Sequence, residues 1–81
     1  SDADLLGRYA DRRDGEAFAA LVHRHSRLVW AACRHQTRSA ADAEDAFQAT
    51  FLALAHNPGA VRDPARLSAW LYAVAGRVCG K

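Results

Sequence analysis

The chain has 81 residues, of which 51% are hydrophobic and 25% charged, and its formal net charge is +2. Chains of this length form one small domain that buries only about 60 to 65% of the surface exposed by the unfolded chain. The composition argues against disorder, and a net charge of +2 does not by itself indicate a nucleic-acid-binding protein. No apolar run approaches the ~20 residues that cross a bilayer, and no signal-peptide pattern opens the chain. We therefore expect a single domain over residues 1–81, cytoplasmic and without a membrane partner.

Helical periodicity begins at the amino terminus and continues after one break. Residues 2–10 have acidic residues at the start and apolar residues on one side, which is typical of a short helix. Asp14 is the predicted N-cap of the longest helix, which runs to about Gln36. The apolar stripe of this helix comprises Phe18, Leu21, Val22, His25, Leu28, Val29, Ala32 and Cys33.

The third predicted helix, from Ser39 to His56, has two faces of different character. Ser39 and Asp42 form a capping-box pattern, and acidic residues crowd the first turns, where the helix dipole favours anions. The apolar stripe comprises Ala43, Phe47, Thr50, Phe51 and Leu54. A second, mixed stripe comprises Asp45, Gln48, Ala49 and Leu52. Since a helix that only supports a core needs a single apolar stripe, the second face predicts a separate role.

The last predicted helix follows a clear break at Asn57-Pro58-Gly59. Asp63 is its predicted N-cap, with Pro64 at the first helical position. Its apolar stripe comprises Leu67, Trp70, Leu71, Val74, Ala75 and Val78. With no strand signal and no repeat, the pattern predicts an all-α bundle of three long helices and one short N-terminal helix.

The histidines and cysteines do not indicate catalysis or metal binding. His23 and His25 are two residues apart, so on a helix they diverge instead of meeting at one ion. Cys33 and Cys79 fit no metal-ligand spacing, and buried free thiols are favoured over a disulfide or a redox switch. No nucleophile–base pattern or glycine-rich phosphate loop is present. We expect neither an enzyme nor a cofactor.

The run from Asp42 to Leu54 resembles the signature helix of bacterial sigma factors of the extracytoplasmic-function type. The run from Asp63 to Val78 looks like the next helix of the same domain. The resemblance covers essentially the whole chain as sigma region two and none of region four, so we expect a fragment of a longer protein. It implies a role in transcription initiation: the first helix docks on the clamp coiled coil of the RNA polymerase β′ subunit, and the second reads and helps to melt promoter DNA.

The resemblance implies that the polymerase-binding residues are Asp42, Asp45, Gln48, Ala49 and Leu52. Asp45 and Gln48 match family residues that contact arginine-rich clamp helices, and charge-assisted hydrogen bonds suit that role. The family usually has an acidic residue where this chain has Ala49, which weakens the electrostatic part of the contact. Without the resemblance, the spacing of Asp45 and Gln48 indicates only a solvent-exposed helix surface.

The DNA-binding residues expected from the resemblance are Asn57, Arg62, Arg66, Ser68, Tyr72, Arg77 and Lys81. The loop from Asn57 to Arg62 corresponds to the family segment that accepts an unstacked base of the minus-ten element, on the nontemplate strand. The basic residues are predicted to contact phosphate, and Tyr72 to stack on a base. Trp70 is either a wedge at the melting point or a core residue, and its spacing favours the core.

A second hypothesis is a sigma-like interaction domain that binds polymerase or an anti-sigma factor without reading DNA. A generic helix-turn-helix reader is a third, but the connections lack the required short spacing.

Overall fold

Four helices make up the domain, in the order that the sequence predicts. The computed structural model describes residues 1–79. Its helices are α1 (Asp2–Arg12), α2 (Gly15–Gln36), α3 (Ala40–His56) and α4 (Leu67–Cys79). Two short 3-10 helices, Pro58–Ala60 and Pro64–Arg66, lie between α3 and α4. The predicted all-α bundle is confirmed. None of these helices combines the length and the apolar character needed to cross a membrane.

Side-chain caps begin the helices at the predicted residues. The Asp14 carboxylate accepts from two first-turn amides of α2, and the Ser39 hydroxyl accepts from the Asp42 amide of α3 at 3.1 Å. Asp63 caps the second 3-10 helix by accepting from the Ala65 amide at 3.1 Å. These bonds satisfy amides that lack a partner within the helix. The 3-10 turn at Pro64–Arg66 then runs directly into α4, so the last helix begins as predicted but with a tighter first turn.

The core lies where α2, α3 and α4 pack against one another, while α1 packs on α2 and on both 3-10 helices. Its fully buried large side chains are Leu21, Val29, Cys33, Thr50, Leu54, Leu67 and Leu71. These residues belong to the predicted apolar stripes. Thr50 fits in the core because its hydroxyl donates to the Ala46 carbonyl at 2.8 Å.

One member of the predicted α2 stripe does not belong to the core. Leu28 is 37% exposed, although its spacing placed it with the buried residues. The neighbouring Trp30, which lay outside the stripe, packs its ring edge-on against Phe47 with centroids 6.0 Å apart. Phe47 in turn meets Phe51 at 5.1 Å. The aromatic contacts between α2 and α3 therefore extend the apolar face of α2 toward Trp30.

Cys33 and Cys79, far apart in the sequence, come together where α2 and α4 pack. Both are free thiols, with Cys33 buried and Cys79 half-buried. Burial raises the pKa of Cys33 to about 11, and the neighbouring Cys79 adds to the increase. Cys33 is therefore a neutral, unreactive thiol at neutral pH.

Candidate functional site

The second stripe of α3, together with Asp42 in the first turn, forms an exposed ridge, here called the outer face of α3 (Asp42, Asp45, Gln48, Ala49 and Leu52). All of these residues are exposed except Ala49, which is half-buried. Leu52 is 54% exposed, a high value for a large apolar side chain. The structure therefore places every predicted polymerase-binding residue on one accessible surface, separate from the core stripe of the same helix.

A cleft lies on each side of this ridge, and the two clefts differ in character. The first, of about 540 Å³, is lined by Asp42, Asp45 and Ala49 together with Arg38 and Cys79. It has acidic, basic and apolar groups within one concave surface.

The second cleft, of about 260 Å³, is lined by Gln48 and Leu52 together with the apolar side chains of Phe18, Val22 and Phe47. Asp45 and Gln48, three residues apart, are neighbours on the ridge, and each lines a different cleft.

Two further clefts flank Trp70, which is half-buried and packs against the core. One, of about 360 Å³, is lined by Arg62, Arg66, Asp63 and one side of Trp70. The other, of about 400 Å³, is lined by Asn57, Arg77 and Trp70. The indole thus forms a wall between two concave surfaces, each with at least one arginine at its edge. Because Trp70 contacts the core and also lines both clefts, it fits both interpretations offered by the sequence.

The charge around Trp70 is positive. Arg62, Arg66 and Arg77 are exposed, and the nearby carboxylate of Asp63, which caps the Ala65 amide, offsets one of these three positive charges. Three guanidinium groups thus surround clefts of a few hundred Å³, a volume in the range of small-ligand sites. Guanidinium groups at such edges suit recognition of phosphate oxygens.

The remaining predicted DNA-binding residues are not part of these clefts. Ser68 and Tyr72 lie one helical turn apart on α4, and neither lines either cleft. Tyr72 is 55% exposed, so its ring is free to stack on a group that approaches from that side. Lys81 lies outside the described residues. The structure therefore divides the predicted set, with Asn57, Arg62, Arg66 and Arg77 around Trp70 and with Ser68 and Tyr72 elsewhere on α4.

Ser68 belongs to a partly buried polar network around His25 that the sequence does not reveal. The Ser68 hydroxyl lies 3.3 Å from His25 Nδ1, and His25 Nε2 lies 2.8 Å from Asp2 Oδ2. Because a carboxylate only accepts, Nε2 of His25 donates to Asp2. The other Asp2 oxygen lies 3.5 Å from Arg24. His25 lies on an apolar stripe, so the only sequence signal for this network is a polar residue at a core position. Such a residue needs a hydrogen-bond partner.

A second unforeseen contact joins α1 to the end of α3. The Tyr9 hydroxyl donates to the Ala55 carbonyl at 2.9 Å, and Arg13 Nη1 donates to the same oxygen at 2.7 Å.

Elsewhere on α1, Arg8 lowers the pKa of Asp14 through a hydrogen bond to its carboxylate. Within residues 1–79, no cluster of three or more His, Cys, Asp or Glu side chains is placed to hold a metal ion.

Comparison with known protein families gives a match that covers most of the chain. Residues 21–80 match the family model described as sigma-70 region 2. The matched range includes the outer face of α3, the clefts beside Trp70 and α2 from residue 21 onward. It begins after α1, so the helix that contacts Ala55 lies before the matched range.

Two curated relatives match nearly the whole chain. They are the ECF RNA polymerase sigma factor SigM of Mycobacterium tuberculosis strain ATCC 25618 / H37Rv, 34% identical over 79 residues, and the same protein of strain ATCC 35801 / TMC 107 / Erdman, 33% identical over 79 residues. Each alignment covers 98% of this chain and 40% of the relative. The chain thus spans about 40% of the length of these relatives. No solved structure matches the chain at a significant level.

Proposed function

The chain belongs to the sigma-70 region 2 family, as a domain of the extracytoplasmic-function type, and we propose that it acts in transcription initiation by binding core RNA polymerase and promoter DNA. In this proposal the two activities use different surfaces. The outer face of α3 binds polymerase, and the 57–66 segment together with α4 binds the minus-ten element. The domain itself catalyses no reaction.

The polymerase contact rests on the exposed chemistry of the outer face of α3. Asp45 accepts from guanidinium groups, Gln48 both donates and accepts, and Leu52 supplies apolar area next to the cleft lined by Phe47. An interface needs a desolvated apolar centre with polar groups around it, and this ridge has both. The proposed partner is the arginine-rich coiled coil of the β′ clamp, whose charge complements Asp42 and Asp45.

The single observation that supports promoter reading is the pair of clefts beside Trp70. A base that leaves the stack needs a concave site with polar groups at its edge and an aromatic or apolar wall. The cleft lined by Asn57, Arg77 and Trp70 has an amide that can read a base edge, and the indole is its wall. Arg62 and Arg66 border the neighbouring cleft, which supports a role for their guanidinium groups in contacting the flanking phosphates.

The experiment uses the chain assembled with core polymerase and a pool of single-stranded DNA that contains a short randomised segment. We expect the assembly to enrich one strand sequence over core polymerase alone. Fluorescence anisotropy then compares the enriched strand with a scrambled strand of the same composition. Failure to enrich any sequence, or equal affinity for both strands, contradicts promoter reading.

Variants separate base reading from phosphate contact in the same assay. Asn57→Ala and Trp70→Leu should reduce the preference for the enriched strand while leaving the affinity for the scrambled strand nearly unchanged. Tyr72→Ala tests whether the exposed ring of α4 also stacks on a base, as the sequence predicts. Ala73→Ser, a small change at an exposed position of α4 that lines neither cleft, is the matched control and should preserve both affinities.

The interaction-only hypothesis predicts a different outcome. It is favoured by the exposure of Leu52 beside an apolar cleft, because such a surface suits a protein partner regardless of DNA. If that hypothesis is correct, the chain binds polymerase or an anti-sigma factor and the assembly enriches no strand. Polymerase binding combined with strand enrichment identifies the bifunctional domain.

A further inference from the structure

The 57–66 segment, which carries Asn57 and the proposed phosphate contacts Arg62 and Arg66, has little internal structure to hold it. It consists of the two 3-10 helices and the residues around them. The bonds within it are short-range, such as Ala60 N–H to the Asn57 carbonyl at 3.1 Å and Val61 N–H to the Pro58 carbonyl at 3.2 Å. Single 3-10 turns have poor hydrogen-bond geometry and do not fix a segment by themselves. The position of the segment must therefore depend on contacts with the rest of the domain.

Helix α1 contacts the chain on the amino-terminal side of this segment. Ala55 lies in the last turn of α3, where the helix leaves its carbonyl without an intrahelical partner. The Tyr9 hydroxyl and Arg13 Nη1 both donate to that oxygen, which has two lone pairs to accept them. The Arg13 bond is charge-assisted and lies at the negative end of the α3 dipole, where a cation is favoured.

The two donors of this contact are themselves held in place. The Tyr9 ring packs on Phe18 of α2 with centroids 4.8 Å apart, and the Arg13 guanidinium lies 5.0 Å from the centre of the Tyr9 ring. Arg13 adopts a left-handed conformation with φ of 51°, and its amide donates to the Tyr9 carbonyl at 2.8 Å. The contact is therefore preorganised, since both side chains are oriented before they reach Ala55.

On the carboxyl-terminal side of the segment, α1 is linked to the chain indirectly, through His25 of α2. Asp2, at the start of α1, accepts from His25, and His25 lies 3.3 Å from the hydroxyl of Ser68 in the first turn of α4. Between these two points, α1 packs against both 3-10 helices. Helix α1 thus bonds directly to Ala55 before the 57–66 segment, packs along the segment itself, and is linked to Ser68 after it through His25 of α2.

We propose that α1 is a positioning element for promoter reading, and that Tyr9 and Arg13 are positioning residues that hold the 57–66 segment in its base-reading geometry. The inference rests on the proposed function. The inference extends the proposed function to α1, which precedes residues 21–80, the range that matches the family model. Neither residue needs to touch DNA, since both act through the Ala55 carbonyl at the end of α3.

The test compares the parent chain with the double variant Tyr9→Phe, Arg13→Gln. The first change removes only a hydroxyl and keeps the ring on Phe18, and the second removes the guanidinium. Arg12→Gln is the matched control, because Arg12 is adjacent, exposed and not hydrogen-bonded through its side chain to any other of residues 1–79. It loses the same charge without losing a bond to Ala55. Thermal melting confirms that each variant is folded, and Tyr9→Phe alone is the milder second variant.

The first measurement does not involve DNA. Backbone ¹⁵N order parameters of residues 59–63 should fall from about 0.85 in the parent toward about 0.6 in the double variant. The order parameter of Leu54, in the interior of α3, should not change. The Arg12→Gln control should match the parent at both places. Unchanged order parameters in the 59–63 range of the double variant overturn the positioning role.

The second measurement is the strand preference in the assembly with core polymerase. In the double variant the ratio of affinities for the enriched and scrambled strands should fall at least threefold, while the affinities for the scrambled strand and for core polymerase stay within twofold of the parent. A double variant that keeps the full ratio overturns the inference and leaves the proposed function intact. A parent chain that enriches no strand refutes the proposed function instead, and the order parameters then decide the role of α1.

Discussion

Replacing Phe51 with alanine tests how strongly the stability of this domain depends on a single core side chain. Phe51 is 5% exposed, packs edge-on against Phe47 with centroids 5.1 Å apart, and belongs to the cluster that joins α2, α3 and α4. Truncation of a buried phenylalanine costs about 3 to 5 kcal/mol, from lost transfer free energy and from the cavity that remains. The lost aromatic pair accounts for about 0.5 to 1.5 kcal/mol within that cost.

The expected effect is large compared with the stability of the whole domain. At ~0.05 to 0.15 kcal/mol per residue, a chain of 81 residues has roughly 4 to 12 kcal/mol of unfolding free energy. Phe51→Ala should therefore remove a large share of the unfolding free energy at 25 °C, and nearly all of it where the parent lies at the lower end of that range. The ring cannot be replaced by a neighbour, since Trp30 and Phe47 already pack against each other on the α2 side.

Urea denaturation followed by circular dichroism at 222 nm measures this loss. The matched control is Leu52→Ala, one residue further along α3 and 54% exposed, which should change the unfolding free energy by about 0.5 kcal/mol or less. If Phe51→Ala lowers the unfolding free energy by less than ~1 kcal/mol at an unchanged m-value, the reasoning about the core is wrong.

Three other perturbations test separate parts of the molecule. Asp45→Ala with Gln48→Ala should preserve helical content and melting temperature. It should weaken binding to the β′ clamp coiled coil by about 2 kcal/mol or more in a calorimetric titration. Equal affinity of variant and parent would remove the outer face of α3 from the proposed interface. Arg66→Ala and Arg77→Ala should each lower the affinity for the enriched and the scrambled strand by the same factor. Each should also reduce the slope of log K against log salt concentration by about 0.7. A loss of affinity for one strand alone would indicate base contact. Because burial raises the pKa of Cys33 from its ordinary value of 9.0 to about 11, the unfolded state loses this proton first as pH rises. Cys33 should therefore stabilise the fold fully below pH ~9 and progressively less up to pH ~11, and Cys33→Ala should have a flatter stability profile across that window in pH-dependent urea titrations.

The sequence determined the helices, their starts and most of the core, because these depend on residues within one turn of each other. Ser39, Asp14 and Asp63 accept from amides two or three residues away, so the caps were visible as local patterns. Periodicity separated Phe51 from Leu52 on α3, and the structure buries the first and exposes the second. The resemblance to sigma region two also came from residues contiguous in the sequence, and the family match confirms it.

Periodicity was less reliable at the edges of the stripes. It groups residues by angle around one helix but does not say how wide a face the neighbouring helices cover. Leu28, a member of the predicted stripe, is therefore 37% exposed, while Trp30, outside the stripe and equally exposed, packs its ring on Phe47. The width of each buried face depends on how the helices cross and on the size of the facing side chains.

Only the tertiary structure decided which distant residues act together. The arginines of the 57–66 segment and α4 meet Trp70 in two clefts, whereas Ser68 is joined to His25 instead. The Ala55 carbonyl accepts from Tyr9, 46 residues away, because the path of α1 across the domain brings that hydroxyl to the end of α3. Such contacts leave no local pattern, since each partner looks ordinary within its own helix. They exist because buried or terminal polar groups must be paired and the packing of the helices determines which partner is within reach.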